Sequence, residues 1–150
     1  MKYLQPNFSN LCVVYLSDRS VLHNRVYSIL AELGGWGPNK KASDEWIQAD
    51  LGATSLILKV ITQGREDGGQ WVTSYNISTS HDGVLWKHLP MTFTANTDMQ
   101  TKVVNKLPVG TVAQFVRLLP QTWHAHPVLR WEVVGCVGQS KYLTNQTIVC

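Results

Sequence analysis

The chain has 150 residues, of which 44% are hydrophobic and 15% are charged, and its net charge at pH 7 is +3. That length suits one domain with its own core and is short for two, while the low charge and the six tryptophans argue against a charged helical bundle. The basic residues are scattered, which excludes a nucleic-acid footprint, and no apolar run reaches the ~18 residues of a membrane span.

The first 45 residues give the weakest structural signal. Residues 19–33 place apolar side chains near helical spacing, but the same segment fits a structured loop equally well. Both interpretations stay open.

From Trp46 onward the dominant pattern is the two-residue alternation of β-strands. The predicted strands are residues 46–52, 55–64, 71–80, 85–89, 113–120 and 128–136. His81-Asp82-Gly83 separates the third of these from the fourth, and an Asp-Gly pair there predicts a type I′ hairpin, in which both central residues have positive φ. Many short strands joined by turns predict an all-β sandwich or barrel.

The same alternation predicts which side chains are buried. Within residues 71–80 the expected buried face is Trp71, Thr73, Tyr75, Ile77 and Thr79. Four tryptophans at or near strand ends are expected to anchor the core: Trp46, Trp71, Trp86 and Trp123.

Charged residues inside these apolar strands call for partners. An isolated buried charge is very costly, so we expect Arg117 or Arg130 to pair with Asp50 or Glu132. A catalytic acid–base set would use the same residue types, but structural ion pairs give the same signal.

Seven motifs follow one another along the chain: GGWGP (34–38), EWIQADLG (45–52), VITQGRED (60–67), WVTSYNISTSHDGVLW (71–86), FTANTD (93–98), VAQFVRLLPQTWH (112–124) and LRWEVVGC (129–136). In this order and spacing they resemble the discoidin family, also called the coagulation factor V/VIII C-type domain. The resemblance is strongest over residues 34–136 and implies a single domain over residues 1–150 with a tail at 137–150. The implied fold is a jelly-roll-like β-sandwich of about eight antiparallel strands, with binding loops protruding at one end.

The resemblance also implies a function. Members of the family are non-catalytic modules, secreted or on cell surfaces, that bind glycans, collagen, other proteins or phospholipid head groups. Three glycosylation sequons, at Asn7, Asn76 and Asn145, add mild support for a secretory route.

The cysteines leave several pairings open. The family joins an upstream cysteine to the one in its last strand, here Cys136, and the upstream candidate is Cys12, which lies unusually close to the first loop. Such a bridge would close a loop of over ~100 residues and stabilise the fold by ~4–5 kcal/mol in the chain-entropy model. The alternatives are a Cys136–Cys150 bridge and no bridge. With one bridge a cysteine is left over, and Cys150 could then join two chains or remain a free thiol.

By the resemblance, loops near residues 17–28, 34–44 and 64–70 form the recognition end. The residues expected to contact a ligand are His23, Arg25, Tyr27, Trp36, Asn39, Lys40, Lys41, Arg65, Glu66 and Asp67. Trp36 fits a core position as well as a surface one, and the two lysines could simply be solvated charges.

Aromatic and planar polar groups in these loops favour a cell-surface glycan or protein as the ligand. Peripheral binding to anionic phospholipids is the alternative, although residues 64–70 hold no large apolar side chain to insert. Four acidic residues could hold calcium but lack the spacing of a dedicated calcium loop, so no cofactor is predicted: Asp44, Glu45, Glu66 and Asp67.

The segment TWHAHPVLRWEVVGC (122–136) raises the question of a metal or catalytic site. On a strand, His124 and His126 would share one face, and Glu132 and Cys136 are the other ligand types nearby. Pro127 interrupts the strand, and a metal needs three or four ligands. Within the family pattern the segment is a turn followed by the last strand, so we predict that the functional loops lie elsewhere.

Overall fold

The structure, a computed structural model, describes residues 13–15 and 34–137. The strands in these residues are β1 (Val13–Tyr15), β2 (Ile47–Gln63), β3 (Trp71–Ser80), β4 (Lys87–Thr94), β5 (Val103–Lys106), β6 (Val112–His124) and β7 (Arg130–Val137). All the pairings are antiparallel, in the order β1-β7-β2-β6-β3-β4, and β5 also pairs with β2. The predicted all-β class is confirmed. The segment considered for a helix, residues 19–33, lies outside the described residues.

The long strand β2 joins the two sides of the curled sheet. Its first half pairs with β6, and its second half pairs with β7 on one edge and with β5 on the other. The predicted strands 46–52 and 55–64 are therefore one strand. Its register on β6 shifts between Asp50 and Ser55, and Gly52 within the shift has a φ of 74°, which favours glycine. The glycine marks a bulge rather than a strand end.

The connection from β3 to β4 spans residues 81–86 and is not a type I′ turn. Gly83 has a φ of 75°, but Asp82 does not share the positive φ that a type I′ turn requires. Instead Asp82 Oδ1 accepts hydrogen bonds from Ser80 Oγ and from the backbone N–H groups of Val84 and Leu85, at 3.0, 2.8 and 2.9 Å. These hydrogen bonds lower the pKa of Asp82. The hydrogen bonds of the Asp82 side chain, and not a two-residue type I′ loop, therefore determine the conformation of this turn.

The core lies inside the curl, and its tryptophans are not the expected ones. Trp36 and Trp131 are buried, at 5% and 6% exposure, whereas the four predicted anchors are only half-buried. Two of those four lie on the outer face of the sheet, where Trp46 and Trp86 stack on either side of Arg117. The guanidinium carbon is 3.8 and 3.7 Å from the two ring centroids.

The buried face of β3 was predicted in part. Tyr75, Ile77 and Thr79 are buried as expected, but Trp71 and Thr73 are half-buried. Register shifts on β6 near Ser74 break the alternation. Among the described residues, no helix has the length and apolar composition needed to cross a membrane.

Candidate functional site

An open cleft of about 340 Å³ lies where three connections of the chain meet. Residues 34–37 come from the predicted second loop, residues 65–70 from the third, and residues 126–128 from the connection between β6 and β7. The lining residues are Gly34, Gly35, Gly37, Arg65, Gln70, His126 and Val128. The cleft therefore combines two expected loops with the histidine segment that was expected to lie apart from them.

Trp36 anchors the first wall. Its backbone N–H donates to Leu129 O and its carbonyl accepts from the Leu129 N–H, both at 2.9 Å. Its side chain is in the core, so the surface role predicted for Trp36 is corrected to one of support. A Cβ on neighbouring Gly37 would lie 2.8 Å from Val128 Cγ2, so the two walls approach closely only because position 37 lacks a side chain.

Arg65 shapes the second wall. Its backbone N–H donates to Gln70 O at 2.8 Å, which closes the loop at its base. Its Nε donates to Asp67 Oδ1 at 2.6 Å, and its Nη1 donates to Gln70 Oε1 at 3.1 Å. The bond from Arg65 lowers the pKa of Asp67. The loop thus holds its own arginine in one position over the cleft.

Arg130, at the start of β7, supports this loop from below. The side chain is buried, and it donates from Nε to Gly64 O at 2.8 Å and from Nη2 to Met99 O at 2.9 Å. Its Nη1 is 3.2 Å from Glu66 Oε2. Glu66, which was predicted to contact ligand, therefore supports the loop.

The expected partners of the two strand arginines were wrong. Arg130 pairs with Glu66, and Arg117 donates from Nε to Gln48 Oε1 at 2.9 Å while stacking on two indoles. Asp50 Oδ1 instead accepts from the Gly52 N–H and from Gln114 Nε2, at 2.9 and 3.1 Å. Arg130 is buried and paired, as the cost of an isolated buried charge requires, whereas Arg117 is only half-buried.

His126 forms the third wall. β6 ends at His124, and Ala125 takes a φ of 59°, which turns the chain so that the two histidines do not continue one strand face. His126 lines the cleft, and its Nδ1 is buried without a hydrogen-bond partner among the described residues. Burial lowers the pKa of His126, and the positive charges of Lys41 and Arg65 lower it further.

The other members of the histidine segment have different roles. His124 stacks on Trp71, with ring centroids 4.1 Å apart. Cys136 is in a disulfide bond, which removes it as a thiolate ligand or nucleophile. Among residues 34–137, no three side chains of the metal-binding types come together.

The predicted contact residues are thus found in several kinds of position. Arg65 lines the cleft, while Asp67 holds Arg65 and is exposed. Exposed side chains follow the first wall at Asn39, Lys40 and Lys41. The three residues from the first predicted loop lie outside the described residues: His23, Arg25 and Tyr27.

Gln70 and His126 line the cleft but were not predicted. Gln70 directly precedes β3 and pairs with Arg65 across the base of the loop. Because it is the last residue of the predicted loop 64–70, the sequence could have indicated it. His126 was considered only as a metal ligand, and the sequence did not indicate its place in the cleft, because that place depends on the turn at Ala125.

Comparisons with known proteins agree with this architecture. The sequence profile of the F5/8 type C domain family matches residues 18–133. Lactadherin of Rattus norvegicus is 34% identical over 112 residues, covering 70% of this chain and 26% of that protein. Neuropilin-2 of Homo sapiens is 38% identical over 111 residues, covering 68% of this chain and 12% of that protein. The chain thus spans about a quarter or less of the length of these relatives.

Solved structures show the same fold. Wild-type discoidin II from Dictyostelium discoideum has a TM-score of 0.64 and is 29% identical, covering 67% of this chain and 40% of that chain. A Clostridium perfringens protein in complex with GalNAc-β-1,3-galactose has a TM-score of 0.50 at 18% identity, covering 61% of this chain and 65% of that chain. The predicted discoidin-like architecture is confirmed.

Proposed function

This chain belongs to the F5/8 type C domain family, and from that premise we propose that it is a non-catalytic extracellular module that binds glycans through the cleft. The observation that carries the proposal is the convergence of Arg65, Gln70 and His126 in one open cleft of about 340 Å³. Ligand sites of this size are ordinary for small molecules and hold a few placed polar groups. A sugar unit fits such a site.

The chemistry of the lining favours a sugar over a larger protein surface. Planar guanidinium, amide and imidazole groups give directed hydrogen bonds, the type of contact that a ring bearing several hydroxyls needs. A stable protein–protein contact commonly buries about 800 Å² on each partner, far more than a cleft lined by seven residues offers. A protein ligand would therefore need contacts beyond the cleft.

Insertion into a phospholipid membrane has less support. Among the described residues, the large apolar side chains that are exposed are Val84, Leu85, Met91, Val104 and Val109. None belongs to residues 34–44 or 64–70, so these loops have no apolar tip to place in a bilayer. Trp36, the expected tip, is buried.

In the described part of the chain, the side chains considered for catalysis do not come together as a catalytic set. The Asp82 carboxylate is occupied by three hydrogen bonds in its turn, and His124 is stacked on Trp71. The Cys136 disulfide fits an oxidising compartment, which supports the extracellular location.

A glycan array with the purified chain tests the proposal, with two variants beside it. Arg65→Gln removes a charge from the cleft and should abolish the signals. Lys87→Gln makes the same charge change where β4 pairs with Thr79 of β3, about 27 Å along the strand from Trp71, and should leave them intact. An array without signals, or signals that survive in Arg65→Gln, would contradict the proposal.

A further inference from the structure

We infer that the sugar unit entering the cleft carries an acidic group, either a carboxylate or a sulfate ester. This inference rests on the proposed function and names the ligand class of the same site. It follows from which hydrogen-bonding groups of the cleft are already used and which remain for a ligand.

Donors outnumber acceptors in the cleft. A guanidinium has five N–H groups, and Arg65 uses one on Asp67 and one on Gln70 among the described residues, which leaves three. Gln70 gives its Oε1 to Arg65, so its amide offers the ligand N–H groups. Both polar side chains of this wall therefore present donors to a ligand.

The acidic side chains of the same loop are already engaged. Asp67 Oδ1 accepts from Arg65 Nε, and Glu66 Oε2 is paired with Arg130 Nη1. Each carboxylate has a cation within 3.2 Å, which offsets its repulsion of an anion.

The charge around His126 is positive. Lys41 and Arg65 are the charged groups that act on its ring, and both disfavour a further positive charge there. Lys40 and Lys41 are exposed beside the first wall. An anion entering the cleft would meet Arg65 and the imidazole, with Lys41 near enough to act on the same ring.

The balance of donors and acceptors discriminates between sugar classes. A neutral sugar binds through hydroxyls that both donate and accept, so it needs acceptors in the site to satisfy the hydroxyl protons. A carboxylate or a sulfate accepts only, and its hydrogen bonds to Arg are shorter and stronger than neutral ones. The cleft's remaining groups match the second pattern.

Two matched probes test the inference: methyl β-D-galactopyranoside and its uronate, which differ only by a carboxylate in place of the CH₂OH group. Isothermal titration at fixed ionic strength should give at least about tenfold tighter binding of the uronate, as one charge-assisted hydrogen bond implies. The 6-sulfate ester of the galactoside should also bind more tightly than the parent. Acetate at equal concentration should compete poorly, because it lacks the ring.

Two variants distinguish the effect of the charge of Arg65 from the effect of the position of its guanidinium. Arg65→Gln, which should lose the array signals, should in titration at high sugar concentration bind the uronate no more tightly than the neutral galactoside. In Gly68→Ala the added Cβ would lie 2.6 Å from Arg65 Cδ, so the guanidinium must move although its charge stays, and the preference should weaken. Lys87→Gln is the control and should keep it. Thermal unfolding verifies that each variant is folded.

Each outcome bears on a different claim. Equal or tighter binding of the neutral galactoside would overturn the acidic-sugar inference and leave glycan binding intact. Acetate or phosphatidylserine vesicles that compete as well as the uronate would show a general anion site and overturn the inference too. If no sugar on the array or in titration binds, the proposed function itself fails.

Discussion

Arg130 Nη1 in β7 lies 3.2 Å from Glu66 Oε2 in the loop that forms the second wall of the cleft. The arginine is 4% exposed and the glutamate 38%. Because the same guanidinium also binds Gly64 O and Met99 O, it joins the start of the loop to the segment that precedes β5. The loop therefore has a rigid base beneath an exposed tip.

Replacing Arg130 with methionine should lower the free energy of unfolding by about 3–5 kcal/mol, since two carbonyls and a carboxylate lose a buried partner. Urea denaturation measures this loss. Glu66→Gln is the control and should cost about 1 kcal/mol or less, because Glu66 is partly solvated. Equal losses in the two variants would contradict the supporting role of Arg130.

Arg117→Lys should destabilise the fold by about 1–2 kcal/mol although it keeps the charge. A lysine ammonium cannot stack flat between Trp46 and Trp86 as the guanidinium does. Tryptophan emission should also shift to longer wavelength as the indoles become more hydrated. Arg65→Lys, the same exchange at an arginine bonded to Asp67 and Gln70, should leave the emission unchanged.

How much of this could be read from the sequence depends on the range of the interaction. The alternation of hydrophobic residues predicted the all-β class, and the family motifs predicted the loop that carries Arg65, which lines the candidate cleft. Hydrophobic patterning also indicated that Arg130 needs a partner, but it could not indicate Glu66, since that contact depends on how β7 packs under a distant loop.

His126 shows a second limit. An alternating pattern assumes a continuous strand, and Ala125 ends it with a positive φ that non-glycine residues rarely adopt. Gly52 shows the reverse case, because a residue that often ends strands sits inside β2 as a bulge. Local residue preferences could not predict that the strand ends before Ala125 but continues through Gly52.

The stability of the fold should fall in alkaline solution through Tyr75. Burial raises the pKa of Tyr75 to about 12, against a smaller opposing effect of the hydrogen bond from Asn105. Well below pH 10 both folded and unfolded states keep the proton, so the stability is complete; as the pH rises through 10 the unfolded state ionises first. Relative to its value at neutral pH, the free energy of unfolding should be lower by about 1.4 kcal/mol at pH 11 and by about 2.3 kcal/mol at pH 12.

Urea denaturation of Tyr75→Phe at the same pH values is the comparison. The variant loses the Asn105 contact and should be less stable at pH 8, but its decline above pH 10 should be smaller by the same amounts. Parallel declines in the two proteins would assign the alkaline effect to other groups.

Binding of the sulfated galactoside should strengthen as the pH falls from 7 to 5. The pKa of His126 is lowered, chiefly by burial, so the ring is neutral at pH 7 and gains its charge only in acid. A sulfate ester keeps its charge over this range, so the change reports on the protein. Titration calorimetry of His126→Gln should show a flatter profile, and an unchanged profile would exclude His126 from the contact.

Non-reducing peptide mapping should find Cys136 joined to Cys12, with Cys150 as the remaining thiol. The family resemblance implies this pairing, and β1, which begins at Val13, pairs with β7 so that Val13 lies opposite Gly135. A Cys136–Cys150 peptide would contradict this pairing.

The separation between anchored bases and exposed tips has a practical consequence for engineering. Trp36 and Arg130 fix the two loops from within, while residues 39–41 and 67–69 are exposed. A combinatorial library at five of these positions, 39–41, 67 and 68, with Gly69 kept because its φ is 57°, should therefore yield altered selectivity without loss of expression. The same scaffold could then be selected against a series of sulfated or carboxylated saccharides as an affinity reagent.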